Sequence, residues 1–323
     1  MIKNKIVVTG GSGFVGANLV RKLNQYGYKD IIIVDNYDEN KFNNIKDLFF
    51  VDYITYNKGL GYIDEQLSKH DIGAILHIGA NADVLNRDPN VMMELNYEHS
   101  KYYLELSVEK NIPLIYASSS AVYGNSKNSI VDNKFEDPHN TYSWSKWMFD
   151  RYVIGNSALL TNKVIGLRFF NIFGYGEFHK EKNASLPYRF FSFIEQNGFI
   201  DLFDKEIKRD YVWVEDVADI IVDILNDDSM QNGIYNLGNG NPISHRALAE
   251  LVKNAYIKRG IKDNSEELIK TIPMPENLIH SFQFYTKAEN VPEIIKRKAT
   301  DNELKIEKYI NQLISNKYGY NKI

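Results

Sequence analysis

YSWSK, at residues 142–146, sets a phenol and an ammonium four positions apart, so one helical turn would put both on the same face. Such a pair suits proton transfer at an alcohol. A tyrosine of pKa ~10 is a poor base near neutrality unless a nearby cation favours its phenolate. Spacing alone does not single it out. The chain holds five Tyr-x-x-x-Lys pairs: Tyr37/Lys41, Tyr97/Lys101, Tyr123/Lys127, Tyr142/Lys146 and Tyr318/Lys322. Context separates them. PLIYASSSAVYG (113–124) precedes YSWSK and reads as a buried strand ending in serines. A hydroxyl at such a strand end can orient the substrate oxygen from which Tyr142 takes a proton, with Lys146 supplying charge. Tyr37/Lys41 straddles a polar loop, Tyr318/Lys322 lies in the C-terminal tail, and Tyr123/Lys127 spans Gly124. Tyr97/Lys101 falls on a helical stretch with no serine-bearing strand end shortly before it.

A second constellation supplies a hydride acceptor. TGGSGFVG (9–16) follows an apolar run and opens a helical one, and Gly11, Gly13 and Gly16 fit G-x-G-x-x-G, with Gly10 giving a wider variant. Glycines there let the backbone turn sharply and approach a pyrophosphate at a helix N-terminus. Asp35 ends IIIVD, 24 positions after Gly11, where a carboxylate accepts bonds from an adenosine ribose. Asp35 favours NAD by repelling a 2′-phosphate, whereas Asn36 and Lys41 on the next loop can bind one. The residues leave both cofactors open.

Positioning these groups needs a parallel sheet. KIVVT (5–9), IIIVD (31–35), AILHIG (74–79) and PLIYASS (113–119) read as strands, and FVGANLVRKLNQYG (14–27) and 91–111 as helices between them. This alternation predicts an α/β Rossmann-type, doubly wound parallel sheet. Beyond it come a strand at 164–174, a strand and helix over 210–227, a strand at 233–240 and a helix at 245–260. From 261 onward the chain reads as polar and irregular. We expect a dinucleotide domain over 1–170, also receiving segments near 210–240, and a smaller C-terminal substrate-binding lobe over 171–323.

Composition narrows the classes. The 323 residues suffice for a large core, and a net charge of −4 gives no electrostatic reason for nucleic acid or an acidic membrane surface. Without cysteine there is no disulfide or thiolate chemistry, and the seven histidines show no metal-ligand spacing. An early first strand and the lack of an apolar run of ~18–20 residues predict no signal peptide, no membrane span and a cytoplasmic location.

TGGSGFVG, SSSAVYG, YSWSK, RFFNIFG (168–174) and KRDYVWVEDVA (208–218) stand in an order that resembles the extended short-chain dehydrogenase/reductases, over about residues 5–240. The resemblance implies a nucleotide-sugar substrate and a homo-oligomer with contacts on the helices near 91–110 and 142–155. It also picks Ser119 as the catalytic serine, four residues before the tyrosine of VYG. Further cofactor contacts implied are Phe14, Val15, Asp52, Tyr53, Gly79, Ala80 and Asn96. Asn171 is implied near the sugar and Arg209 on its pyrophosphate.

Within that family VDNYDENKF (34–42), GEFHKEKNAS (176–185) and IPMPENLIHSFQFYTKAE (272–289) are similar to the ADP-L-glycero-D-manno-heptose 6-epimerases. That likeness implies one NADP per subunit, with NAD possible, and Lys180 as a second acid/base. It adds His179, Ser185, Phe203, Gln283 and Tyr285 to the substrate contacts. The implied reaction oxidises C6″ of a heptose to a ketone and reduces it on the other face. Net oxidation or reduction of another nucleotide sugar is the alternative enzyme reading, and a non-catalytic cofactor sensor the non-enzymatic one. Ser120, Ala121 and Val122 replace the acid that related dehydratases carry after the serine. Two departures bear on the substrate: GANADVLNRD (79–88), with Asp83 and Asn86 for small hydroxyl residues, and a shorter loop between LFD (202–204) and KRD (208–210).

Overall fold

The computed structural model describes residues 2–82, 88–279 and 283–318. Asp83 and Asn86 of the altered loop, and Lys322, lie outside them. Six strands arise in chain order: β1 (Lys5–Thr9), β2 (Ile31–Asp35), β3 (Asp52–Thr55), β4 (Ile72–His77), β5 (Leu114–Ser119) and β6 (Val164–Phe169). Gly233–Leu237 adds a seventh beside β6, and the sheet order is Gly233–Leu237, β6, β5, β4, β1, β2, β3. All pairings are parallel. The expected Rossmann-type sheet therefore forms, with its reversal of strand order between β1 and β4. Ligands of open α/β sheets bind at that reversal, outside the strand C-termini.

Side-chain alternation sends each strand into two cores. Ile6 and Val8 of β1 pack with Leu19 and Leu23 of the helix Phe14–Gln25 and with Val217 and Ile221 of the helix Val214–Asn226. Val7, between them, faces the opposite layer with Tyr103, Leu104, Phe149 and Val153. A third core, built from Phe173, Phe190, Leu202, Trp213, Tyr256 and Ile310, fills the second lobe.

Two expectations are corrected here. The stretch 91–111 is not one α-helix: Pro89–Met93 and His99–Glu109 flank a π-helical turn at Glu94–Glu98. The wider turn carries Asn96 inward, where it bonds the backbone N–H and C=O of Asn81 at 2.7 and 3.0 Å. Insertions of this kind recur at functional sites. The region after 261 is also not irregular throughout. Ile269–Ile272 pairs in parallel with Ile200–Phe203, and Asn302–Tyr318 is a helix. Ile306, Tyr309, Ile310, Leu313 and Ile314 form its buried stripe at helical spacing, which the polar residues around them obscured. Truncating Ile310→Ala should lower unfolding free energy by about 2–5 kcal/mol. Urea denaturation followed by circular dichroism checks this; an unchanged midpoint would mean the helix is not integral to the lobe.

Candidate active site

The glycine loop is shaped for close approach. Gly10 has φ +65°, and a Cβ there would come within 2.7 Å of Gly79 Cα. One on Gly16 would meet the Gly10 carbonyl at 2.0 Å. Gly11 packs instead on Ile33. The helix Phe14–Gln25 begins at Gly13 with no acidic residue in its first turn and no side-chain cap, leaving its N–H groups for an anion.

Asp35 ends β2 beside this loop, buried and fully engaged. One oxygen accepts the Ser12 N–H at 3.0 Å and its hydroxyl at 2.6 Å. The other accepts the Asn36 N–H at 2.8 Å and the Lys41 ammonium at 3.1 Å. Lys41 also reaches Asn36 Oδ1 at 2.5 Å. A cradle that tolerates no Cβ, a bare helix N-terminus and a ribose-height carboxylate together fit a dinucleotide.

The second constellation sits across the same cleft. Asn140 and Ser143 close a capping box, which starts the helix Thr141–Gly155 and puts Tyr142 in its first turn. One turn on, Lys146 Nζ donates to the Ala117 carbonyl of β5 at 2.8 Å. Ser119, the last residue of β5, accepts the Ala121 N–H at 3.1 Å and acts on the Tyr142 phenol. Burial pushes the Tyr142 phenol up while Ser119 pulls it down. Burial draws Lys146 down to about 8, with Asp150 acting upward.

A cavity of about 710 Å³ joins the two. Gly10, Gly13, Phe14, Val15, Gly16, Asp35, Asn36, Lys41, Gly79 and Ala80 line its dinucleotide side. Ser119, Tyr142 and Lys146 line the other, and His179 and Lys180 reach in from the turn Phe178–Asn183. Lys180 Nζ lies 5.3 Å from the Phe14 ring centre, and burial lowers its pKa against the pull of Glu177. Glu177 anchors that turn, accepting from the Ser185 hydroxyl at 2.7 Å and the Tyr309 phenol at 2.9 Å.

Other expected residues stand elsewhere. Asp52 begins β3, at the strand end away from the ligand edge, and bonds His70 at 3.1 Å. Tyr53 backs the loop after Asp35, donating to the Asn36 carbonyl at 2.7 Å. Gly11 and Asn96 support the cavity wall without lining it. His179 approaches Asn44 at 3.3 Å, and burial, then Lys41 and Lys180, lower its pKa, so it stands on the Asp35–Lys41 side of the cavity. Asn171 donates to the Asp210 carbonyl at 2.9 Å. Ser185 binds Glu177, and Phe203, Arg209, Gln283 and Tyr285 belong to the second lobe without bordering this cavity. Burial brings Arg209 down to about 10; Arg209 and Arg189, after burial, hold His245 at about 3. Arg189 and His245 escaped the sequence reading, as did His77, whose ring bonds Thr9 Oγ1 at 2.7 Å and Ser100 Oγ at 2.8 Å. Its place at the end of β4 was the available signal.

The same groups fall within a known family. The model of the "NAD dependent epimerase/dehydratase family" matches residues 6–238. The chain belongs to this family. It is an enzyme of the extended short-chain dehydrogenase/reductase type. Among solved structures it is similar to the ADP-L-glycero-D-manno-heptose-6-epimerase of Helicobacter pylori, with a TM-score of 0.83 and 26% identity over 97% of both chains. It shares its fold with the UDP-N-acetylglucosamine 4-epimerase of Methanobrevibacter ruminantium, at TM-score 0.80 and 21% identity, covering 98% of this chain and 100% of that one. The Thermus thermophilus UDP-glucose 4-epimerase, solved with NAD, matches at 0.74 and 20% over 96% and 99%. Among the described residues of this family member, no helix is long and apolar enough to cross a membrane.

Replacing Tyr142 by Phe removes the phenolic hydroxyl with little change in packing volume. Turnover should fall about 10²–10⁴-fold with melting temperature little changed. Steady-state kinetics beside calorimetry tests this, and near-normal turnover would exclude Tyr142 as the proton-transfer group.

Proposed function

We propose that this chain is a nucleotide-sugar epimerase that inverts C6″ of an ADP-linked, or other nucleotide-linked, manno-heptose through a transient ketone. The observation that carries the reading is the arrival of Lys180 in the cavity that Tyr142, Ser119 and Lys146 already line. Inversion through a ketone needs hydride to leave and return on opposite faces of one carbon, so its oxygen must lose and regain a proton in two orientations, and these groups enter from different elements, a helix start and a separate turn. The likeness to the Helicobacter pylori heptose epimerase supports the sugar class.

The dinucleotide, held by the glycine loop and Asp35, supplies a reversible hydride acceptor when bound. Ser119 orients the substrate hydroxyl, Tyr142 takes or returns its proton, and Lys146 contributes positive charge beside the phenol. Lys180 serves the opposite face, its pKa lowered by burial against the pull of Glu177. Asn171 and Arg209, which stand outside that cavity, are carried in this reading as contacts for the part of the nucleotide sugar that reaches beyond it, and a homo-oligomer with one cofactor per subunit belongs to the reading.

NADP is the cofactor we propose. The carboxylate that would repel a 2′-phosphate is already bonded to Ser12 and paired with Lys41. Lys41 and Asn36 support this choice as groups that can bind a 2′-phosphate. Lys41→Ala should cut the preference for NADP over NAD roughly tenfold to a hundredfold, by isothermal titration with each cofactor. An unchanged ratio would remove Lys41 from cofactor selection.

Activity is tested by incubating the protein with ADP-D-glycero-D-manno-heptose and following the C6″ proton by NMR. A new epimer is expected, with no stoichiometric rise or fall in reduced-cofactor absorbance. Absence of any epimer or trapped ketone would exclude the heptose; a stoichiometric absorbance change would instead favour a net oxidoreductase.

A further inference from the structure

Behind Lys146 lies a buried charge cluster that the proton-transfer scheme does not use. Asp150 follows Lys146 by one turn of the same helix and is inaccessible to solvent. Its Oδ2 accepts the Arg168 Nε–H at 2.9 Å and the Ser118 hydroxyl at 2.8 Å, and its Oδ1 accepts the Tyr116 phenol at 3.1 Å. Arg168, equally inaccessible on β6, donates its other end to Glu136 Oε1 at 2.6 Å. Glu136 is tied down in turn by the Trp147 indole N–H at 2.9 Å. Two carboxylates thus share one guanidinium, leaving one buried negative charge without a balancing cation inside the trio. Buried charge unbalanced in this way is strongly disfavoured.

Lys146, one turn earlier on the same helix, is a cation on which Asp150 acts. Among the described residues, Asp150 is the one charged group acting on its pKa. His77 on β4 is held well below its usual pKa by burial and then by Lys146, and His99 beyond it is also lowered by burial. Ser118 and Ser119 of β5 contribute hydroxyls, and Tyr142 an un-ionised phenol. Asp150 is the carboxylate that acts on Lys146 against the burial that strips its charge. Burial also pushes Asp150 upward, and Arg168, Ser118 and Tyr116 oppose it.

We propose that Asp150, backed by the Arg168–Glu136 pair, is a positioning residue whose fixed negative charge keeps Lys146 protonated beside Tyr142. Asp150 touches neither substrate nor cofactor; it acts through Lys146. The inference rests on the reading of Tyr142 and Lys146 as the proton-transfer pair. It extends that reading to the interior of the protein, where the charge state of the site is set.

The test measures the pH dependence of kcat/KM and, separately, of NADP+ affinity by intrinsic fluorescence, in wild type, Asp150→Asn, Asp150→Glu and Glu136→Gln. Loss of the Asp150 charge should move the alkaline midpoint, which reports Lys146 deprotonation, to lower pH by about one unit or more in both measurements. Glu136→Gln should move it the same way by less, and Asp150→Glu should restore it. A residue needed only for packing would lower the melting temperature and leave the midpoints in place, and that result overturns the proposal. Should Asp150→Asn fail to fold, an unmoved midpoint in Glu136→Gln overturns it equally. NADP+ affinity is read without any sugar, so failure to epimerise a heptose would sink the proposed function and leave this test standing.

Discussion

Lys146 donates from a buried ammonium to the Ala117 carbonyl, and removing a cation from water in this way is costly unless nearby charge and hydrogen bonds compensate. Much of the site can be understood as that compensation. The helix Thr141–Gly155 must lie close enough to β5 for Nζ to reach a backbone carbonyl, and the contact of Phe149 and Val153 with the core of that sheet face holds it there. The same approach sets Tyr142 against the hydroxyl of Ser119. One docking distance therefore places Tyr142, Lys146 and Ser119 together, and a shift of either element would disturb all three.

The opposite wall obeys a different constraint, backbone proximity. Gly10 and Gly79 come so close that neither tolerates a side chain, which brings the end of β4 against the glycine loop. Asn96, displaced inward by the π-helical turn, then grips Asn81 just beyond. The loop bearing His179 and Lys180 is drawn over this wall from the second lobe. Asn18 donates to the Tyr175 carbonyl at 2.7 Å and Asn44 to the Gly176 carbonyl at 3.2 Å. Glu177 ties its base to Tyr309 of the C-terminal helix. The cavity wall and the turn bearing Lys180 are thus linked through a helix whose periodicity was hard to see in a polar sequence.

The five tyrosine–lysine pairs show why context outweighs spacing. Lys101 leans over the Tyr97 ring at 5.0 Å and pairs with Glu98, a surface arrangement. Tyr123 is buried with its phenol on Asn236, while Lys127 points outward beyond Gly124, whose φ of +51° breaks any helix. Tyr37 stacks on Tyr53, and its partner Lys41 turns instead to Asp35. Only Tyr142 and Lys146, among the described pairs, share a cavity with the glycine loop.

Local pattern was enough, from sequence alone, for the Rossmann-type sheet, the glycine loop with Asp35 and the Tyr142/Lys146 pair. These features depend on strand and helix periods and on turn chemistry, which short segments carry in themselves. Tertiary structure decided what depends on segments far apart in the chain. Asp52 was displaced to His70 because a strand has two ends and only one faces the ligand edge. Asp150, Arg168 and Glu136 became one cluster because a helix, a strand and a loop converge behind the site. Charge in a protein interior is governed by distance in space, and residue spacing along the chain does not encode that distance.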